Sequence, residues 1–135
     1  MLHQSITQDI IGAAMVVLNE LKPGLDEKIY ERALVIELQA MGHTVEQQRS
    51  FQIRYRGQLI GTLIPDLIVD QKVIVDTKVV TAFSASHMAQ MLGYPTITNL
   101  EVALLLNFSE PKLRWKRIVK DLPELSADIS ADTEI

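Results

Sequence analysis

The chain of 135 residues contains no cysteine. That excludes a disulfide scaffold, a thiol nucleophile, and any zinc or iron–sulfur site built on thiolates. Aromatic residues make up only 5%. No apolar run approaches the length that crosses a bilayer, and Met1-Leu2-His3-Gln4-Ser5 carries no basic segment of a secretion signal, so a cytoplasmic protein with no membrane partner is expected. No internal repeat is visible. With 47% hydrophobic and 22% charged residues, the composition is that of a globular domain with enough chain to bury a core.

The net charge of −4 is unevenly spread. Residues 121–135 hold five of the 17 acids and no base, so residues 1–120 carry +1, from 13 bases against 12 acids. One domain over 1–120 followed by a mobile acidic tail is expected. Arg114, Lys116 and Arg117 belong to a basic stretch, 112–120, that fits either a nucleic-acid contact or an edge strand protected by its charges.

The periodicity alternates between helix and strand. Ser5 and Gln8 have capping-box spacing, and Ile6, Ile10, Ala14, Val17 and Leu21 repeat at helical spacing until Lys22-Pro23-Gly24. A second helix is expected from about Asp26 to Met41, with a stripe of Tyr30, Leu34, Leu38 and Met41. Extended backwards, the stripe reaches Glu27, which either points at the sheet or simply favours the helix dipole. Strands are expected over 45–55, 58–69 and 73–80, a helix from Ala85 to about Tyr94 that Pro95 ends or kinks, and strands over 100–108 and 113–119, with Trp115 inward. On the third helix, His87, Gln90 and Tyr94 form a polar face opposite Met88, Met91 and Leu92. The order predicts a mixed sheet flanked by helices.

The segment with most chemistry is Pro65-Asp66 followed by Asp76-Thr77-Lys78. If Asp70-Gln71-Lys72 form a three-residue turn, Val69 faces Val73 and Asp66 faces Asp76 across an antiparallel hairpin, with Lys78 on the same face. A two-residue turn would put the two carboxylates on opposite faces. Two ionised carboxylates about 4 Å apart repel by roughly 1–4 kcal/mol, depending on the dielectric. A divalent cation removes that penalty, and Mg²⁺, with its preference for oxygen ligands, suits the pair best. The same residues also fit a plain surface acid after a proline and an exposed charge pair.

Gly24-Leu25-Asp26-Glu27-Lys28-Ile29-Tyr30 matches G-x-x-E-x-x-Y. With Pro65-Asp66, Asp76-Thr77-Lys78, the His87, Gln90, Tyr94 helix and Leu105-Leu106-Asn107-Phe108, the chain resembles the GxxExxY proteins of the PD-(D/E)xK nuclease superfamily over roughly residues 5–120. The resemblance implies a restriction-endonuclease-like α-β-β-β-α-β core with an extra N-terminal helix. It implies metal ligation by Glu27, Asp66, Asp76 and the Thr77 carbonyl, with Lys78 orienting water or stabilising charge. His87, Gln90 and Tyr94 would position substrate. Mg²⁺ or Mn²⁺ would be the cofactor and nucleic acid the partner, DNA ahead of RNA, with a second copy or another protein completing the site. One departure is Asp76, where relatives often carry glutamate. A nucleic-acid-binding module that does not cut and a protein-interaction domain remain the competing readings.

Overall fold

The computed structural model describes residues 3–119 and 133–134. Helix α1 (Gln4–Leu21) buries Ile10, Ala13, Ala14, Val17 and Leu18, the stripe that helical spacing requires. Its start differs from the capping-box expectation. Ser5 and Gln8 lie within the helix, and His3, in left-handed conformation, takes the N-cap position without a side-chain cap. Helix α2 (Glu27–Ala40) buries Tyr30, Leu34 and Leu38, whereas Met41 lies past the helix end and is 44% exposed instead of closing the stripe.

The long strands expected over 45–55 and 58–69 form, but each is broken once. Strands β1 (Val45–Gln47) and β4 (Leu67–Val69) pair at one end, and β2 (Phe51–Tyr55) and β3 (Gln58–Leu63) pair at the other. One register runs through both. Gln47 faces Leu67 before the break, Phe51 faces Leu63 after it, and a bulge interrupts the pairing only beyond Ile53. At the break Gln48 adopts a φ of 57° and Pro65 has no N–H to donate, so the ladder bends. The Gln48 amide still reaches the Asp66 carbonyl at 3.1 Å. Beyond the bend, β2–β3 is a separate ribbon resting on the third helix through half-buried Phe51 and Leu63.

The remaining elements are β5 (Val73–Lys78), α3 (Ala85–Thr98), β6 (Val102–Asn107), β7 (Arg114–Val119) and the short β8 (Thr133–Glu134). The main sheet runs β1-β4-β5-β6-β7-β8, with β5 and β6 parallel and every other pair antiparallel. Helix α3 supplies the crossover that a parallel pair needs. Residues alternate between two apolar layers. Leu67, Val75, Leu104 and Leu106 pack with α1 and α2; Ile68, Ile74, Ala103 and Leu105 pack with Met91 and Tyr94 of α3. The result is the expected α/β architecture, a central mixed sheet between helices.

Helix α3 does not stop at Pro95 but continues to Thr98. One lost amide bond is tolerated where Pro95 is buried, and the end is set by Asn99 in left-handed conformation, its amide on the Pro95 carbonyl. The expected mobile tail, 121–135, lies outside the described residues except for Thr133–Glu134. Among the described residues no helix is long and apolar enough to cross a membrane.

Candidate active site

The β4–β5 turn has the three-residue form, with Leu67 opposite Val75 and Val69 opposite Val73. That register sets Asp66 beside Asp76, and each carboxylate caps the other's strand. The Asp66 amide donates to Asp76 Oδ1 at 3.0 Å, and the Thr77 amide donates to Asp66 Oδ2 at 2.9 Å, joined by the Thr77 hydroxyl at 3.2 Å. Asp76 is 3% exposed, and its other oxygen accepts from the Tyr94 hydroxyl at 2.7 Å. Burial pushes the Asp76 carboxyl above its ordinary pKa and the Asp66 charge adds to the push; the Asp66 amide, Tyr94 and Lys78 only partly offset them. The Tyr94 phenol is driven upward in turn, by burial and by Asp76.

Glu27 reaches this cluster from the first turn of α2. Burial raises its pKa, Lys78 and the Val79 amide lower it, and Asp66 and Asp76 raise it. Three carboxylates and a lysine therefore share one electrostatic neighbourhood at the end of β5. Its placement explains the G-x-x-E-x-x-Y spacing. Gly24 has a φ of 113°, a conformation that suits glycine, and turns the chain from α1 into α2. Tyr30, three residues after Glu27 on the same helix face, is fully buried and stacks on Phe108 with ring centroids 4.9 Å apart. Its hydroxyl donates to the Lys22 carbonyl and accepts from the Leu25 amide at 3.1 Å. The tyrosine fixes the helix start, and so the glutamate, over the strand end.

Two further polar residues shape the site without having been singled out for it. Asn107 is 2% exposed; its side chain donates to the Val80 carbonyl and accepts from the Val80 and Ser109 amides, tying the segment after Lys78 to the end of β6. In the sequence it stands in the Leu105-Leu106-Asn107-Phe108 strand end, as the polar residue that closes an apolar run. Glu31, one turn after Glu27, is 2% exposed and held by Lys28 at 3.3 Å and Gln48 at 3.5 Å. Helical spacing from Glu27 could have found it.

The other sequence candidates are placed differently. His87 closes a capping box with Ser84: the Ser84 amide donates to His87 Nδ1, and the His87 amide to the Ser84 hydroxyl. Gln90 is exposed. Tyr94 lies on the buried side of α3 with Met91, and Leu92, placed with the methionines opposite the polar face, is 44% exposed. The polar face drawn through His87, Gln90 and Tyr94 is thus split, because Tyr94 turns inward to bond Asp76. Two bases of the basic stretch are enclosed as well. Lys116 and Arg117 are 8% and 6% exposed, Lys116 lies 6.0 Å over the Phe83 ring, burial depresses the Arg117 pKa, and Arg114 pairs with Glu110 at 3.0 Å.

The donor set is all oxygen, which fits a hard divalent cation. Among the described residues, however, no three acidic or histidine side chains stand close enough to clasp an ion as they are. Three of the four Asp66 and Asp76 oxygens already accept hydrogen bonds within the protein.

The model of the PD-(D/E)XK nuclease superfamily matches residues 4–118. The chain belongs to this superfamily. Pro65-Asp66 and Asp76-Thr77-Lys78 are spelled as the PD-(D/E)XK signature is, and the architecture is restriction-endonuclease-like. Among solved structures the fold is similar to that of SSO0001, with a TM-score of 0.55 and 16% identity over 74% of this chain and 52% of that one. The chain thus spans about half the length of SSO0001. An alkaline exonuclease, LHK-Exo from Laribacter hongkongensis, is also similar: TM-score 0.46, 11% identity, over 80% of this chain and 76% of that one. For LHK-Exo in complex with dAMP the TM-score is 0.48. No curated protein sequence matches the chain.

Proposed function

We propose that the protein is a divalent-cation-dependent nuclease that hydrolyses nucleic-acid phosphodiester bonds, with Mg²⁺ the expected ion, Mn²⁺ a substitute and DNA favoured over RNA. The observation that carries this reading is the gathering of Glu27, Asp66, Asp76 and Lys78 at one strand end, where two of the carboxylates are raised in pKa by burial and by neighbouring negative charge. Such a cluster is costly for an uncharged role and suited to positive ligands. Glu27, Asp66, Asp76 and the Thr77 carbonyl would hold the ion, which when bound neutralises the scissile phosphate and acidifies water.

The chain's own groups do the rest. Tyr94 keeps the buried Asp76 carboxylate oriented through its hydroxyl. The amides of Asp66 and Thr77 hold the two aspartates in fixed positions across the hairpin. Lys78 offers a positive charge where negative charge builds on the phosphoryl oxygens. Exposed Gln90 is available to substrate, whereas His87 contributes by starting α3. The Gly24–Tyr30 motif favours the GxxExxY branch within the superfamily.

A second reading, a module that binds nucleic acid without cutting it, is favoured by one observation: the aspartate oxygens are largely occupied by internal hydrogen bonds. Incubation of labelled DNA with Mg²⁺, Mn²⁺ or chelator, for wild type, Asp76→Ala and Lys78→Ala, separates the two. The nuclease reading expects products only from wild type with a cation. Salt-dependent binding that persists in chelator, with no products under any condition, would replace it with the binding module.

A further inference from the structure

From Gln47 to Pro65 the chain carries three arginines, Arg49, Arg54 and Arg56, and no acidic residue. This stretch is the β2–β3 ribbon and its two junctions, and its base is the candidate site itself. Asp66 follows Pro65 directly, and the Gln48 amide bonds the Asp66 carbonyl. From there the ribbon runs outward. Five residues of strand span about 17 Å, the axial length of about five base pairs.

The ribbon's inner face is accounted for by the packing of Phe51 and Leu63 on α3. Its tip is not. Tyr55, Leu59 and Ile60 are 63%, 52% and 66% exposed, and among the described residues neither Arg54 nor Arg56 has a carboxylate partner. The guanidinium groups are oriented by the ribbon itself. Arg54 donates to the Gly57 carbonyl at 3.2 Å and to Gln52 Oε1 at 2.9 Å, and Arg56 lies 5.7 Å over the Tyr55 ring. Lys116 and Arg117, by contrast, are buried.

We infer that the β2–β3 ribbon is the grip on duplex DNA, seated in the major groove beside the scissile strand, with Arg54 and Arg56 on phosphates and the Tyr55 tip against the groove. This rests on the nuclease reading and adds the substrate's contact surface to it. An arginine-bearing two-stranded ribbon matches the width of the B-form major groove, whereas the deep, narrow major groove of A-form RNA does not admit it. The exposed apolar tip suits base edges such as the thymine methyl.

The test is anisotropy of a short labelled DNA duplex in chelator across a salt series, with cleavage in Mg²⁺ measured in parallel. Arg54→Ala/Arg56→Ala is expected to weaken binding roughly tenfold and to lower the salt slope by about 2, since each phosphate contact contributes close to one unit. Arg54→Lys/Arg56→Lys should retain most of the binding. Lys72→Ala, in the turn at the far end of β5, should change neither quantity. Melting temperatures of all variants report whether the fold is intact. Unchanged affinity and slope in the double alanine variant, or no duplex binding by wild type, overturns the inference, as does equal ribbon dependence with an RNA duplex. A concentration-dependent dimer in sedimentation that the ribbon variants abolish would assign the tip to a second copy instead. Wild type that binds through the ribbon but never cleaves defeats the nuclease reading alone; wild type that cleaves while the double alanine variant binds normally defeats the ribbon alone.

Discussion

Asp76 is the residue at which function and stability oppose each other most directly. Its carboxyl is held above the ordinary value by burial and then by Asp66. An acid whose folded pKa is raised favours the fold while protonated, below its unfolded pKa, and that contribution is lost as the pH rises through the folded value. The ionised form of Asp76 is thus a burden on the cation-free protein that the protonated form is not. Asp76→Asn keeps the shape, since the amide oxygen can accept from the Asp66 amide and the amide nitrogen can donate to the Tyr94 hydroxyl. Its melting temperature in chelator at neutral pH should rise above wild type, by about 4 °C for each kcal/mol recovered. Cleavage should disappear in the same variant. A lower melting temperature than wild type would show that the hydrogen bonds to the ionised carboxylate outweigh its desolvation.

Tyr30 shows how an element carries a side chain to its place. Its ring stacks on Phe108 beyond β6, its hydroxyl ties the α1–α2 connection, and Glu27 sits one turn earlier. Tyr30→Phe keeps the stack and loses the hydroxyl bonds, which should cost about 1–2 kcal/mol in urea unfolding. Cleavage should fall further than the folded fraction does, because the start of α2 loses its anchor. Cleavage that tracks only the folded fraction would leave the tyrosine a core residue and nothing more.

A second tie between elements is pH-sensitive. His43, just after α2, lies between Asp70 in the β4–β5 turn and Asp9 on α1, at 2.8 Å from the latter. The bond to Asp70 raises the imidazole pKa above 6.5, burial opposes this, and Asp9 reinforces it. Burial alone would raise Asp70, but His43, the Thr44 amide and the Thr44 hydroxyl hold it below 3.8. The raised histidine contributes stability that is complete below pH 6.5 and fades as the pH rises through its folded value. The lowered aspartate contributes above 3.8 and fades as the pH falls through its folded value. The melting-temperature advantage of wild type over His43→Gln should therefore be greatest between these limits and shrink on the alkaline side. A flat difference across neutral pH would rule out a charged clasp.

At the scale of the whole molecule, local pattern and long-range assembly were legible to different degrees. The β-branched runs on either side of Asp70-Gln71-Lys72 marked a hairpin, but both are apolar on both faces, so pattern alone left a two- or a three-residue turn open and the assembled sheet decides the register. The continuous apolar run of β6 marked a strand covered on both faces. The break at Gln48–Ser50 and Ile64–Asp66 was not legible. Pairing continues in one register across it, and only packing on α3 decides that the outer half leaves the main sheet. The burial of Lys116 and Arg117, the inward turn of Tyr94 and the His43 clasp likewise depend on residues distant in sequence.

That division predicts how stability is distributed. β6 is buried along its whole length and bonded on both sides, by β5 and β7, so its amides should exchange with solvent only on global unfolding. The ribbon beyond Phe51 and Leu63 is almost wholly exposed, so its amides should open locally and exchange fastest among the strands. Hydrogen exchange of peptides covering 51–63 and 102–107 measures the contrast. If the ribbon should prove as protected as β6, it would have to be part of the cooperative core, and the substitutions at its tip could no longer be treated as changes of surface alone. If it opens independently, duplex DNA should slow exchange in the ribbon as well as in β6, because a partner held by the ribbon penalises every opening that undoes its grip, local or global.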